Sequence, residues 1–278
     1  MTPDPVPAGP TIGGVGITIR AFEFSLCLPI TGAENLNPVP VVAIDGPSAS
    51  GKGTVAQGVA ARLAFYYLDS GAIYRAAALA VRGAGAGLDK PAELATIVAA
   101  MNLRFAEGRI LLAGVDVTDR ARSEAIGRDA SRIAALPAVR AALLLRQRDF
   151  RMAPGLVADG RDMASVIFPD AALKVFLTAS IEERARRRVR QLAEADARKG
   201  LIGKENNANI ASLFESAVAA AEGAMYPVVL ADLVERDRQD AARSAAPLRQ
   251  VEGAHVLDTT GMPAGQAVEQ VLAWYAAG

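Results

Sequence analysis

Residues Gly46, Pro47, Ser48, Ala49, Ser50, Gly51 and Lys52 stand in the pattern GxxxxGK. The chemistry this spacing performs is the binding of a polyphosphate. Successive backbone N–H groups curl around the anion, glycine stands where a Cβ would block the approach, and the positive end of the following helix faces the charge. Lys52 adds a mobile ammonium able to reach the β- and γ-phosphates. Gly53 occupies the slot in which a Ser or Thr hydroxyl usually takes Mg²⁺, and Thr54 comes one residue later. A metal would then be held by water and by the nucleotide phosphates. The chain carries no NKxD guanine motif and no LSGGQ stretch.

Three arginine clusters could supply the remaining positive charge. SIEERARRRVRQL starts at Ser180, which is placed to cap a helix with Glu182 and Glu183 in its first turn. On that helix Arg184, Arg187 and Arg188 project within an arc of about 100°, whereas Arg186 and Arg190 point elsewhere. From Ile181 to Lys204 there are eight basic and four acidic residues, a local excess of four. In ERDRQDAAR, Arg236, Asp240 and Arg243 follow i, i+4, i+7, so one charged stripe turns toward something. Two guanidiniums flanking a carboxylate suit a ligand with phosphate and hydroxyl groups, and the same spacing also suits a self-satisfied surface ladder. In ADGRD, Asp159, Arg161 and Asp162 fall at or just past the end of a strand, the edge at which open α/β sheets bind ligands.

The elements that must position these groups are legible in outline. VVAID reads as a buried strand, GPSASG as a loop and KGTVAQGVAARLA as a helix. YYL (Tyr66 to Leu68), LVAD (Leu156 to Asp159), LKVFLTA (Leu173 to Ala179) and HVLDTT (His255 to Thr260) are further short apolar runs, separated by helical stretches. That alternation predicts an α/β fold, a parallel sheet with helices on both faces. LRFAEGRILLAGVDVT (Leu103 to Thr118) has a different rhythm and predicts an antiparallel hairpin turning near Glu107 and Gly108, within a lobe inserted between sheet units.

Composition sets the limits. The 278 residues are 51% hydrophobic and 22% charged, so the chain can bury a sizeable core. Thirty basic residues cancel thirty acidic ones, which speaks against a partner that is a nucleic acid polymer. Aromatic residues make up 5%, too few for rows of stacking platforms. The lone cysteine, Cys27, excludes a disulfide framework and points to a reducing cytoplasm. The lone histidine, His255, begins a strand and is expected to be structural. No apolar run is long enough to span a bilayer. Residues 1–40 hold seven of the fifteen prolines and read as a flexible extension. Their apolar Ala21 to Ile30 stretch lacks the basic flank of a signal segment and contains Glu23.

From Val41 to the C-terminus the sequence resembles the bacterial cytidylate kinases. The resemblance rests on IDGPSASGKGT, LDSGAIYR (Leu68 to Arg75), ASRIAALPAVR (Ala130 to Arg140), ADGRDM, VIFPDA (Val166 to Ala171), ERARRR and ERDRQDAARSAAPL, in that order. It implies a P-loop NTPase-type kinase domain over residues 41–278, with a monophosphate-binding lobe over about 85–130 and a helical lid over about 180–210. It also implies transfer of the γ-phosphoryl of ATP, with Mg²⁺, to CMP or dCMP by a monomer. Carried over position by position, Gly46, Pro47, Ser48, Ala49, Ser50, Gly51, Lys52, Gly53 and Thr54 hold the ATP phosphates. Ser70, Ser131, Arg140 and Asp162 surround the cytosine, where an acceptor for the exocyclic amine and a donor for O2 and N3 distinguish cytosine from uracil. Arg75, Arg161 and Arg243 grip the CMP phosphate, and Arg236 and Asp240 lie at the sugar. Arg184, Arg187 and Arg188 belong to the lid over ATP, and Lys52, Arg161, Arg184 and Arg188 are the expected catalytic set. No resident protein metal site is implied. Two features depart from the family pattern: the first forty residues, and a longer segment between Ala193 and Val234 containing GKENNAN. UMP or AMP as acceptor, or a nucleotide-sensing module without transfer, are the alternatives that an acceptor screen separates.

Overall fold

The computed structural model describes residues 38–106, 108–201, 210–243 and 245–278. Cys27, residues 1–37 of the expected extension, Glu107 of the expected hairpin turn and the stretch from Gly203 to Asn209 lie outside them. The chain runs through β1 (Val41–Asp45), α1 (Lys52–Leu63), β2 (Tyr66–Asp69), α2 (Ser70–Gly83) and α3 (Pro91–Ala100). There follow β3 (Leu103–Ala106), β4 (Arg109–Leu112), β5 (Val115–Asp116), α4 (Thr118–Arg122), α5 (Glu124–Ala134) and α6 (Pro137–Arg148). Then come β6 (Leu156–Gly160), a π-helical turn over Met163–Ile167, β7 (Leu173–Thr178), α7 (Ile181–Leu201), α8 (Ile210–Ala242), β8 (His255–Asp258) and α9 (Ala264–Ala277).

The five apolar runs expected as strands form one parallel sheet in the order β2-β6-β1-β7-β8. β1 is the central strand and is buried along its whole length, which is why its sequence is a continuous apolar run instead of an alternation. Its side chains divide between two cores because successive residues face opposite ways. Val41 and Ala43 pack with Ile73, Leu94, Ile133 and Leu143 from α2, α3, α5 and α6. Val42 and Ile44 pack with Val55, Val59 and Val271 from α1 and α9. At about 1.5–3 kcal/mol for each large apolar side chain buried, these two layers hold the sheet rigid. Val39 and Pro40 already belong to the fold, which moves the edge of the expected extension inward: Arg151 Nε donates to the Val39 carbonyl at 2.7 Å and the Leu156 amide to that of Pro40 at 3.0 Å.

The expected hairpin is present and carries a third strand that the sequence did not announce. β3, β4 and β5 form an antiparallel sheet, and the two-residue turn into β5 has Ala113 at φ 51 and Gly114 at φ 81. A type I′ turn needs positive φ at both places, and Ala-Gly is not its usual spelling. Helices α7 and α8 pack side by side on a third, small core of Ala185, Val189, Val229 and Leu233. Among the described residues no helix is long and apolar enough to cross a membrane.

Candidate active site

All five parallel strands end at one edge, and there the chain concentrates its buried polar groups. Asp45, Asp69, Asp159 and Asp258 lie at the carboxyl ends of β1, β2, β6 and β8, the first and third of them buried. The loop after β1 closes tightly on β7: at Gly46, φ +155, a Cβ would stand 1.9 Å from the Leu177 carbonyl oxygen, so only glycine fits. Ser50 Oγ donates to the Pro47 carbonyl at 3.0 Å and Lys52 Nζ donates to the same oxygen at 2.8 Å, which curls the loop around the ammonium. Gly51 at φ 92 then turns the chain into α1.

Lys52 is buried with Asp159 Oδ1 4.0 Å from its nitrogen. Burial presses each toward its neutral form, lowering the lysine and raising the aspartate, while the opposite charge of the partner works to keep both ionised. The second oxygen of Asp159 lies 3.4 Å from the Tyr67 hydroxyl. A Cβ at Gly53 would stand 3.4 Å from that same oxygen and 3.6 Å from the Tyr67 hydroxyl, so the Ser/Thr slot lies directly against the buried Asp159 carboxylate. Thr54 is exposed on the first turn of α1.

Just past β6 the backbone enters the π-helical turn, in which the amides of Val166 and Ile167 both donate to the Asp162 carbonyl, at 2.9 and 3.1 Å. Its first amides, of Met163 and Ala164, donate to the two oxygens of Asp45 at 2.9 and 2.8 Å. Burial nevertheless pushes Asp45 up to about 7, those two hydrogen bonds opposing the rise. The turn fixes Arg161 and Asp162 on its rim. Arg161 donates to Asp240 Oδ2 at 2.9 Å, to Ser48 Oγ at 2.8 Å and to the Gly160 carbonyl at 3.1 Å, linking β6, the phosphate loop and α8. Asp162 pairs with Arg140, which also donates to the Ala134 carbonyl at 3.2 Å. Burial raises Asp162, with Arg140 and Arg243 opposing.

Ser70, Arg75, Ser131, Arg140, Arg161, Asp162, Arg236, Asp240 and Arg243 come from five separate stretches of chain, and all of them line one cleft. Asp240 is 1% exposed and holds Arg161 through one oxygen and Arg243 through the other. Arg243 is one residue past the end of α8, so the stripe read from spacing finishes on a non-helical residue. Arg236 has no carboxylate partner among the described residues, and its Nε, like that of Arg243, is buried without a hydrogen bond. Burial and the charges of Arg161, Arg75 and Arg188 push Arg236 down to about 9, with Asp240 opposing. Burial and Arg75 push Arg188 down to about 10. Arg75 is lowered too, by burial and by Arg161 and Arg122, while Asp69 opposes; its hydrogen bonds go to the carbonyls of Ala121 and Ser123 at 2.8 and 3.2 Å.

The three arginines of α7 differ in freedom. Arg184 is buried and bonded throughout, to the carbonyls of Ala179 at 3.1 Å and Ser48 at 3.2 Å, and to both oxygens of Asp237 at 3.1 and 2.6 Å. It ties the phosphate loop to α8. Arg187 donates to the Ser50 carbonyl at 3.2 Å, to Thr259 Oγ1 at 3.0 Å and to the Thr259 carbonyl at 2.6 Å, backed by Glu183 at 2.9 Å. Arg188 crosses to Glu124 at the start of α5. Arg186, expected on another face, pairs outside with Glu183. Ser180 caps α7 as expected, accepting from the Glu183 amide at 3.2 Å. His255 stacks on Trp274 with centroids 4.6 Å apart, a packing contact away from the cleft.

Sequence reasoning did not single out Asp45, Tyr67, Tyr74, Glu124, Gln147, Asp237 or Thr259 as site residues, yet each touches a group of the site or lines its cleft. Asp45 and Thr259 had a usable signal, a polar residue at the end of an apolar strand run. The others lie on helices or in strand interiors, where nothing in local spacing marks them.

A phosphate cradle at the carboxyl edge of a parallel sheet, with a guanidinium-lined cleft beside it, defines a P-loop α/β enzyme that brings a second phosphate-bearing molecule to a nucleotide. The profile of the cytidylate kinase family matches residues 42–205 and 214–277. The cytidylate kinase of Chromobacterium violaceum is 53% identical over 237 residues, 85% of this chain and 96% of that one. That of Burkholderia pseudomallei is 52% identical over 239 residues, 86% and 94% of the two chains. That of Paraburkholderia phymatum is 51% identical over 238 residues, 86% and 93%. The chain belongs to the cytidylate kinase family of nucleoside monophosphate kinases, and the ATP-dependent phosphorylation of CMP and dCMP is its activity.

Proposed function

We propose that the loop from Gly46 to Thr54 takes the ATP phosphates and that the neighbouring cleft takes CMP or dCMP, so that the acceptor phosphate meets the γ-phosphoryl between Lys52 and Arg161. Lys52 and the loop amides hold the donor. Arg75, Arg161, Arg243 and Arg236 receive the acceptor phosphate and sugar, with Asp240 fixing their spacing. Ser70, Ser131, Arg140 and Asp162 face the base. Arg188 moves from Glu124 to the transferring group, while Arg184 and Arg187 hold the loop in shape. The observation that carries this reading is electrostatic: Arg75, Arg161, Arg188 and Arg236 converge, and burial with mutual repulsion depresses Arg75, Arg188 and Arg236. A phosphate dianion is the ligand that relieves such a cluster.

Phosphoryl transfer between two nucleotides asks little covalent work of the protein. Both reactants are anions, so the task is to hold them in line and to spread the charge that develops on the equatorial oxygens. An acceptor phosphate oxygen attacks the γ-phosphorus as the bond to the ADP oxygen breaks. The acceptor is already ionised, so no side chain is needed as general base. Mg²⁺ fits as a companion of ATP: the Asp159 carboxylate lies 4.0 Å from the Lys52 nitrogen at the phosphate loop, beside the place a nucleotide-borne ion would take. Asp159 would hold its water shell, and the ion when bound neutralises β- and γ-phosphate charge.

In the same reading, residues from about 85 to 130 form the lobe that closes on the monophosphate and those from about 180 to 210 the lid. The enzyme acts as a monomer, away from membranes, in the cytoplasm. The test is ADP release from ATP with CMP, dCMP, UMP and AMP offered in turn. Turnover with CMP or dCMP well above UMP and AMP is expected; ADP release that ignores the identity of the monophosphate would overturn it.

A further inference from the structure

Behind Ser70, which lines the cleft, lies a buried amide that the transfer of the phosphoryl group does not use. Gln147, on α6, is 1% exposed, and Ser70, the first residue of α2, is 4% exposed. Ser70 Oγ and Gln147 Oε1 are 2.8 Å apart, and Gln147 Nε2 is 3.3 Å from the Leu143 carbonyl one turn back on α6. This second contact decides the orientation of the amide. A main-chain carbonyl can only accept, so the atom facing it must be the NH₂ group, and the amide oxygen is thereby turned to Ser70. An amide oxygen can only accept as well. The serine therefore commits its one proton to Gln147, and what remains for the cleft is a pair of lone pairs.

We infer that Gln147 is a specificity-determining positioning residue: by taking the Ser70 proton it fixes that hydroxyl as an acceptor, and so selects a pyrimidine with an amino group at position 4 over one with a carbonyl there. This rests on the reading of the cleft as the monophosphate site, with Ser70 at the base. Left free, a serine hydroxyl rotates and offers a proton or a lone pair as the ligand demands, and it reads nothing. Held by Gln147, it accepts from the exocyclic amine of cytosine and meets the O4 of uracil lone pair to lone pair. Ser131 is set the same way, its hydroxyl donating to the Gly127 carbonyl at 3.2 Å. The cost of a mismatch is high here because a buried acceptor without a donor cannot turn to water.

The test compares kcat/KM for CMP and UMP in the full-length parent and in three variants. Gln147→Met keeps length and volume but cannot accept a proton. It should lower the CMP-to-UMP ratio by about 10-fold to 100-fold, chiefly by improving UMP, while kcat with CMP changes less. Gln147→Glu still accepts from Ser70 and should keep most of the ratio. Ser70→Ala removes the reader and should lower the ratio even if Gln147→Met fails to fold. The monophosphate of the 4-unsubstituted pyrimidin-2-one nucleoside supplies a second readout: it should trail CMP in the parent and approach it in Gln147→Met. Equal loss for CMP and UMP in Gln147→Met, or an unchanged ratio in Ser70→Ala, would overturn the inference while leaving the kinase assignment standing. A parent that phosphorylates no cytidine nucleotide would overturn both.

Discussion

Asp240→Asn is the change that most directly measures how the arginine cluster is held together. The native carboxylate is almost wholly buried, one oxygen bonded to Arg161 at 2.9 Å and the other to Arg243, with Arg236 near enough to feel its charge. Burial works against its ionised form, yet the flanking guanidiniums outweigh that and hold its pKa below the ordinary value. Asparagine keeps the shape and removes the charge, so three guanidiniums are left facing one another. Taking one partner from a buried ion pair costs about 3–5 kcal/mol. In a chain of this size each kcal/mol moves the unfolding midpoint by about 2–4 °C, so a fall of roughly 6–20 °C is expected in a calorimetric scan. The scan has a second arm. CMP carries a dianion into the cluster and at a hundredfold excess over its Kd returns about 2.7 kcal/mol, whereas cytidine, with no phosphate, should return much less. A midpoint within about 2 °C of the parent, or equal rescue by CMP and cytidine, would refute the electrostatic account of the cleft.

Lys52→Ala should lower kcat by about 10²-fold or more in the coupled ADP assay, and should lower the unfolding midpoint as well because the buried Asp159 carboxylate 4.0 Å away loses its partner. Arg188→Ala should lower kcat by a similar ~10²-fold, with little change in midpoint because its Glu124 partner is partly exposed; near-normal turnover would remove it from the transfer step. Gly46→Ala drives a Cβ into the Leu177 carbonyl and should yield little folded protein, whereas Gly83→Ala, with open space around it, should be neutral or stabilising by up to about 1 kcal/mol; equal behaviour of the two would contradict the tight seat of the loop on β7. Asp45 has a pKa of about 7 in the fold against an ordinary 3.8, so the native state binds the extra proton; that stability is fully present below 3.8 and is lost as pH rises through about 7. Denaturant midpoints should decline over that window, and a decline just as steep in Asp45→Asn would assign it to other groups.

What could be read along the chain was whatever is local. The central strands β1 and β6 announced themselves because a strand buried on both faces is a continuous apolar run, the outer three because short apolar runs recur between helical stretches, and the cradle because glycine, lysine and helix start must be contiguous. The stripe of Arg236, Asp240 and Arg243 followed from helical period, although its last member lies past the helix. The third strand of the small sheet escaped because a two-residue strand has no period to detect. The π-helical turn escaped as well: its stability comes from Asp45, more than a hundred residues earlier, whose carboxylate meets the amides of Met163 and Ala164. Gln147 was invisible for the same reason, being one polar residue in a helix whose partner is 77 positions away.

Spacing could place the arginines near one another but could not say which of them the fold itself consumes. That distinction lies in their partners. Arg184 meets a carboxylate and two carbonyls, and Arg187 meets Thr259, Ser50 and Glu183, so both are braces that hold the phosphate loop against α8 and β8. Among the described residues Arg75 bonds main-chain carbonyls alone and Arg236 has a buried Nε with nothing to bond, and burial, with neighbours of like charge adding to it, depresses both. Folding leaves those buried guanidiniums short of counter-charge in the cleft, a shortage that a bound phosphate would relieve. On the proposed reading of the cleft, part of the affinity for the acceptor would be stored in this cluster and directed at the phosphate, and the uncharged serines and the Arg140–Asp162 pair would be left to judge the base.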